Sequence, residues 1–143
     1  MQKILVIDAQ GGGIGKQIIQ SLKKKEYPVR ITAVGTNTAA TMAMLNAGAD
    51  IAVTGENAVK VNARNADIII GPIGIVIADS LYGEITPEMA LAIAQSKAVR
   101  ILLPINRCEN IIAGVENLNL SYLIDKALEE VGKLVDTEKR LYL

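Results

Sequence analysis

The sequence contains no histidine, no phenylalanine and no tryptophan, and it has a single cysteine. Without histidine the chain lacks the side chain that most often serves as general base or metal ligand near neutral pH. Neither a Ser-His nor a Cys-His nucleophilic pair can form. Cys108 has no second cysteine to pair with, which excludes an internal disulfide and fits a reducing compartment. Four tyrosines are the only aromatic residues, so stacking platforms for unpaired bases are not expected.

The chain also lacks a net charge and a long apolar run. Fifteen basic residues balance fifteen acidic ones, so no broad field would attract a polyanion, and no nucleic-acid partner is expected. The longest apolar stretch, 68–78, is interrupted by glycine and proline and falls short of the ~18 residues of a membrane span. The first residues enter a strand directly, without the pattern of a signal peptide. We therefore expect a cytoplasmic protein without a membrane partner.

What the chain does contain is an alternation of strand and helix patterns from end to end. Half of the 143 residues are hydrophobic, enough for a sizeable core within one domain. Short apolar runs predict strands at 3–8, 29–34, 51–53, 67–70 and 99–103, with 111–113 as a sixth candidate. Helical periods separate them, the clearest at 120–135. This alternation predicts an α/β fold over 1–143: a single-domain, doubly wound (Rossmann-like) parallel sheet of five or six strands with helices on both faces.

A cluster of glycines lies directly between the first predicted strand and the first predicted helix. Glycine lets backbone N–H groups approach an oxyanion closely, and the start of a helix carries a favourable partial positive charge. In a doubly wound sheet this turn lies beside the crevice where ligands bind. We therefore expect a phosphate-bearing ligand here, with tight strand–helix packing as the simpler alternative. The predicted contacts are Gly11, Gly12, Gly13, Ile14 and Gly15.

The spacing of these glycines matches no standard fingerprint completely. The dinucleotide pattern G-x-G-x-x-G fails because its third glycine would come one residue too early. The turn of short-chain dehydrogenases fits better, although Ala9 stands where that pattern has its first glycine. A P-loop is disfavoured because Gln17 occupies the place of the Ser or Thr that binds Mg²⁺.

Two further predicted strands end at the same edge of the sheet. Thr36 and Asn37 follow the second strand, where dinucleotide folds contact the adenosine ribose, although these residues are equally suited to capping the next helix. Gly71, Pro72 and Gly74 follow the fourth strand, either as room for a ligand or as a simple turn. Because no acidic or arginine side chain follows the second strand, the choice between NAD and NADP as cofactor stays open.

Candidates for chemistry are few, and no catalytic residue is assigned. Cys108 lies next to Arg107, whose positive charge favours a reactive thiolate, yet a half-buried inert cysteine is the favoured interpretation. Asp79 and Glu84 flank a polar loop, where solvated acids are favoured over a carboxylate pair that shares a proton or binds Mg²⁺. Tyr122 and the lysine four residues later have the spacing used by short-chain dehydrogenases but lie on the last helix, without a partner serine. No metal site is predicted.

Several strings resemble a family of short bacterial proteins of about this length that is classed as a domain of unknown function. They are GGGIGK at 11–16, GTN at 35–37, AGAD at 47–50, TGENAV at 54–59, GPIGIVIADSLYGEITP at 71–87 and LPINRC at 103–108. The resemblance covers nearly the whole chain and implies a Rossmann-like fold, but no particular activity. The family pattern has glycine where this chain has Ala9, which slightly relaxes the backbone approach at that position.

Two functional hypotheses remain. In the first, the protein binds a nucleotide or dinucleotide of the NAD(P) type and is reductase-like, as the long polar loop at 79–86 favours. In the second, it is a non-catalytic metabolite-sensing or assembly module, as the lack of histidine and of a second substrate domain favours. Half the residues are hydrophobic and the mean hydropathy is +0.31, so we also expect a homodimer that covers apolar surface with the last helix and the 87–96 helix.

Overall fold

The computed structural model of the chain describes residues 1–105, 109–116 and 119–141, with the side chains of the last helix described as far as residue 136. The strands are β1 (Gln2–Asp8), β2 (Val29–Gly35), β3 (Ile51–Thr54), β4 (Ile68–Pro72) and β5 (Val99–Leu103). The helices are α1 (Gly13–Lys25), α2 (Thr38–Asn46), α3 (Glu56–Asn65), α4 (Pro87–Gln95) and α5 (Leu120–Leu141), and a short 3₁₀ helix spans Ile73–Val76.

The five strands form one parallel sheet in the order β3-β2-β1-β4-β5. The predicted fold class is confirmed, with five strands rather than six, because residues 111–113 form no strand. Strand order reverses between β1 and β4, since the chain runs from β1 outward to β3 and then returns to the other side of β1. In folds of this type the ligand crevice lies at the carboxyl ends of the strands at that reversal.

The side chains of β1 alternate between two hydrophobic cores, one on each face of the sheet. Ile4 and Val6 pack with apolar residues of α1, α2 and α5. Leu5 and Ile7 pack with apolar residues of α3 and α4 on the opposite face. Each of these side chains is at most 1% exposed, and such burial contributes roughly 1.5–3 kcal/mol per large side chain. The doubly covered sheet therefore holds the carboxyl end of β1 in a fixed place.

The middle of the sheet explains why β4 is continuously apolar. All five of its residues are buried, as expected of a strand with helices on both faces. A Cβ at Gly71 would lie 2.5 Å from the carbonyl oxygen of Ile7, so only glycine allows β4 to lie this close to β1 there. None of the helices in the described part of the chain is long and apolar enough to cross a membrane.

Candidate ligand site

Three segments meet at the carboxyl edge of the sheet: the glycine turn (residues 9–15), the end of β2, and the β4 loop (residues 73–86). The carboxylate of Glu84 joins all three segments. Its Oε2 accepts a hydrogen bond from the backbone N–H of Gln10 at 2.7 Å, and its Oε1 accepts one from Nδ2 of Asn37 at 2.8 Å. The space bounded by these segments is called the crevice below.

Asp8, the last residue of β1, closes the glycine turn from its buried side. The carboxylate is 4% exposed and accepts hydrogen bonds from the backbone N–H groups of Ala9 at 2.8 Å and Gly15 at 2.7 Å. Burial raises the pKa of Asp8 above its ordinary value of 3.8, and the negative charge of Glu84 raises it further, against the lowering effect of the neighbouring N–H groups. The N–H of Gly15 is therefore already occupied and is not available to an incoming anion.

Two of the four clustered glycines are explained by the fold. Gly12 has a φ of +73°, and a Cβ there would lie 2.8 Å from the Cα of Ala40 in α2. A Cβ at Gly15 would lie 2.5 Å from the sulfur of Met44, also in α2. These two glycines let α1 and α2 approach each other closely, which is the packing role that the sequence left open.

The other two glycines, Gly11 and Gly13, have no such explanation. Neither has a φ in the left-handed region, and a Cβ at either position would meet no atom within 4 Å. Both residues are exposed, and neither N–H donates a hydrogen bond to any described residue. Gly13 is the first residue of α1, so its N–H belongs to the open end of that helix. Glycine at these positions leaves the backbone accessible to a ligand from outside.

The polar residues at the end of β2 differ in how fully they are engaged. The Asn37 side chain caps α2 by accepting from the N–H of Ala40 at 2.9 Å, and its Nδ2 also donates to the carbonyl of Gln10 at 2.9 Å. Because Nδ2 also donates to Glu84, both the oxygen and the nitrogen of the Asn37 side-chain amide are engaged in hydrogen bonds. Thr36 is different, because its Oγ1 is buried and has no hydrogen-bond partner among the described residues. Unsatisfied buried hydroxyls are uncommon in folded proteins and call for a reason, such as a missing ligand or water.

Of the three residues predicted to follow the fourth strand, Gly71 and Pro72 are the last two residues of β4, and Gly74 lies at the start of the β4 loop. Gly71, Pro72 and Gly74 are buried, and the carbonyl of Gly74 accepts a hydrogen bond from the hydroxyl of Ser80 in that loop. The structure thus brings all ten predicted residues to one edge of the sheet. Only Gly11 and Gly13 of the ten are exposed, and contact of the others with a ligand stays a prediction.

Backbone strain is concentrated around a cavity that adjoins the crevice at Gln10. The cavity has a volume of about 650 Å³ and lies between the glycine turn, the β4 loop and the segment after β5. Among the described non-glycine residues six have positive φ, and five of these six line it: Gln10, Asp79, Leu81, Tyr82 and Glu109. Such conformations cost roughly 1–3 kcal/mol each and cluster at functional sites.

Glu84 is the site residue whose role the sequence did not predict. It was expected to be a solvated loop acid, but it is half-buried and joins two segments that are 74 and 47 residues away in the chain. Asp79, its proposed partner in a carboxylate pair, makes no hydrogen bond with it. No local pattern indicates such long-range contacts, so only the fold could reveal them.

The other candidates for chemistry are placed as follows. Asn106, Arg107 and Cys108 lie outside the described residues, so the expectation of an inert cysteine is untested. Tyr122 is 44% exposed on α5, and the neighbouring Lys126 lies 3.4 Å from a carboxylate oxygen of Glu129. Within the described ranges, no group of three or more acidic or cysteine side chains is placed to hold a metal ion.

Comparison with known proteins gives a family but no activity. No curated protein matches the chain in sequence. Among solved structures, it is similar to the dodecameric FMN-dependent Ubix-like decarboxylase of Escherichia coli O157:H7, with 16% identity, a TM-score of 0.46, and coverage of 92% of this chain and 95% of that one. Similarity this low carries no argument about a ligand. The family resemblance seen in the sequence is confirmed: residues 3–136 match the model described as Domain of unknown function (DUF3842), and the chain belongs to that family.

Proposed function

We propose that this protein binds a nucleotide in the crevice, with a phosphate at the exposed backbone of Gly11 and Gly13. The observation that carries the proposal is that neither glycine is required by the fold. Both have open space, and the N–H of neither donates to a described residue, at the start of a thirteen-residue helix. A helix start contributes about 0.3–1 kcal/mol to binding a negative charge, in addition to the hydrogen bonds themselves.

The acidic groups of the site limit where the phosphate can lie. Asp8 is buried behind the turn, and Glu84 holds the N–H of Gln10, so the phosphate belongs on the outer side of the turn, away from both carboxylates.

A nucleotide fits the crevice better than a bare anion because sugar-binding groups lie beside the turn. The unpartnered hydroxyl of Thr36 and the carboxylate of Glu84 lie at the end of β2, the position at which dinucleotide folds contact ribose. The adjoining cavity of about 650 Å³ has the size of a small-molecule site and provides room for a second half of the ligand. NAD or NADP is the cofactor class that we propose on these grounds.

The alternative is a non-catalytic module that senses or assembles around a metabolite. The absence of histidine from the sequence favours it, because no imidazole can move a proton at the site. An assay of the reduction of a panel of carbonyl compounds by NADH or NADPH distinguishes the reductase-like enzyme from the non-catalytic module. Turnover supports a reductase-like enzyme, whereas tight binding without turnover supports the module.

Substitution of Gly13 by valine tests the proposed phosphate position. Because residue 13 has neither a positive φ nor a close neighbour, we expect Gly13→Val to fold while its side chain blocks the N–H groups. Ala94→Val is the matched control, since it adds the same β-branched side chain to an exposed position of α4. We expect isothermal titration with AMP and NAD to show at least about a tenfold loss of affinity in Gly13→Val alone.

A native mass spectrum of freshly purified protein complements the titration, since it would identify a retained ligand directly. Equal nucleotide affinity in the wild type, Gly13→Val and Ala94→Val would show that the glycine turn is only a packing element, contrary to the proposal.

We also propose that the protein is a homodimer formed through α3 and α4. A groove of about 550 Å³ runs between these helices and exposes Leu91, which is 56% accessible. Lys60 and Arg64 line one side of the groove, and Glu88 lies on α4. A two-fold axis brings the same patch of both subunits together, so opposite charges within one patch can pair across it.

A further inference from the structure

The carboxylate of Glu84 has an arrangement that the packing of the β4 loop does not require. The loop is already held by the side chains of Leu81 and Ile85, which are 3% and 0% exposed. The backbone N–H of Asp79 donates to the carbonyl of Ile85 at 2.7 Å, and the Ser80 hydroxyl bonds back to Gly74. The loop is therefore closed and anchored without any contribution from the Glu84 side chain.

The backbone before Glu84 nevertheless directs this carboxylate into the crevice. Asp79, Leu81, Tyr82 and Gly83 all have φ between +56° and +83°. Leucine and tyrosine rarely adopt this region, and the cost persists only where the surrounding structure enforces it. The strained turn places the carboxylate between the glycine turn and Asn37, at the end of β2.

Glu84 retains acceptor capacity at this position. Each carboxylate oxygen receives one hydrogen bond, from Gln10 or from Asn37, and each can accept a second. The carboxylate forms no ion pair with any described residue. Two adjacent oxygens with free lone pairs match the two hydroxyls of a vicinal diol, whereas a phosphate group at the same place would be repelled.

We propose that Glu84 is the specificity residue of the crevice, which accepts hydrogen bonds from the 2′- and 3′-hydroxyls of an unphosphorylated ribose. The inference rests on the proposed nucleotide site. The carboxylate that the end of β2 lacks in sequence is supplied by the β4 loop, and Asn37 and the Gln10 N–H position it. The substrate class is therefore ribonucleotides with a free diol, such as NAD, and not their 2′-phosphorylated or 2′-deoxy counterparts.

The test compares three mononucleotides and three forms of the full chain by isothermal titration. The ligands are AMP, 2′-deoxy-AMP and adenosine 2′,5′-bisphosphate, with NAD and NADP as a second pair. The forms are the wild type, Glu84→Gln and the matched control Glu26→Gln, which neutralises an exposed carboxylate at the opposite end of α1 from the glycine turn. Circular dichroism establishes that each form is folded.

We expect the wild type and Glu26→Gln to bind AMP at least about tenfold more tightly than either analogue, and Glu84→Gln to lose most of that preference against the bisphosphate. If the wild type binds all three mononucleotides equally, or if Glu84→Gln keeps the preference, the role of Glu84 is refuted while nucleotide binding stands. If the folded wild type binds none of the three mononucleotides, the proposed nucleotide site is refuted, and the role of Glu84 is refuted with it. The comparison among ligands on the wild type decides the matter even if Glu84→Gln does not fold.

Discussion

Asp8 is the residue whose ionisation couples the glycine turn to the stability of the protein. Its carboxyl is buried, and its pKa is raised in the folded state above the ordinary value of 3.8. A group with a raised folded-state pKa favours folding when protonated, so the stability that it contributes is present below pH 3.8 and is lost as the pH rises through the folded-state pKa. Near neutral pH the charged carboxylate therefore costs stability, which its two backbone hydrogen bonds only partly offset.

Asp8→Asn should remove this pH dependence. The variant keeps one acceptor oxygen and loses the other, which costs about 1 kcal/mol at low pH, where the wild-type carboxyl is neutral. As the pH rises from about 4 to 7, the free energy of unfolding of the wild type should fall relative to that of Asp8→Asn. Urea unfolding of both proteins at several pH values measures the difference. Parallel stability curves would mean that Asp8 titrates normally.

The individual roles of the glycines and of Glu84 could not be predicted from the sequence. The string of residues 11–15 indicated a turn able to hold an anion, but four identical residues in five gave no means of distinguishing Gly12 and Gly15 from Gly11 and Gly13. That distinction depends on where α2 lies. The role of Glu84 could not be predicted for a related reason, because its partners Gln10 and Asn37 follow two other strands of the sheet.

At the scale of elements, the contact between α1 and α2 depends on Gly12. An alanine there needs the left-handed conformation, which costs roughly 1–2 kcal/mol, and its Cβ would clash with the backbone of Ala40. We expect Gly12→Ala to reduce the free energy of unfolding by at least about 2 kcal/mol. Gly11→Ala, one residue earlier with open space and no left-handed φ, should change it by less than about 0.5 kcal/mol. Urea unfolding of the two variants measures these changes. Equal losses of unfolding free energy would contradict the roles assigned to Gly11 and Gly12.

The order of strands and helices could be predicted from the sequence because each strand is a short β-branched run and each connection is helical. The N-cap of α4 could also be predicted from the sequence. Thr86 accepts a hydrogen bond from the N–H of Met89 at 3.1 Å, and Pro87 follows as the first helical residue, as the pattern predicts. The candidate sixth strand at 111–113 does not form, since Ile111 is 92% exposed and has no place in the sheet. The positive φ of Leu81 and Tyr82 could not be foreseen, because these residue types normally avoid it.

At the scale of the whole molecule, the fold class follows from local patterns, whereas the crevice depends on contacts between distant segments. Parallel strands joined by right-handed crossovers leave few arrangements for this order of elements, and the observed sheet is one of them. The expectation of one domain over 1–143 stays a prediction. The expected homodimer also stays a prediction, because association depends on surface residues rather than on the hydrophobic core.

The proposed dimer places α3 and α4 of one subunit against the same helices of the other. Leu91 is the apolar centre of this patch, and Lys60, Arg64 and Glu88 form no ion pair with described residues of their own chain, so each is available across a two-fold axis. Sedimentation velocity at micromolar concentration should give twice the mass of one chain for the wild type. Leu91→Asp should shift it to the monomer, because an interface centre does not tolerate an unpaired charge. Met42→Asp, at a 51% exposed apolar position on α2, should leave the dimer intact. A monomeric wild type would refute the dimer, and a dimer that survives Leu91→Asp would place the interface elsewhere.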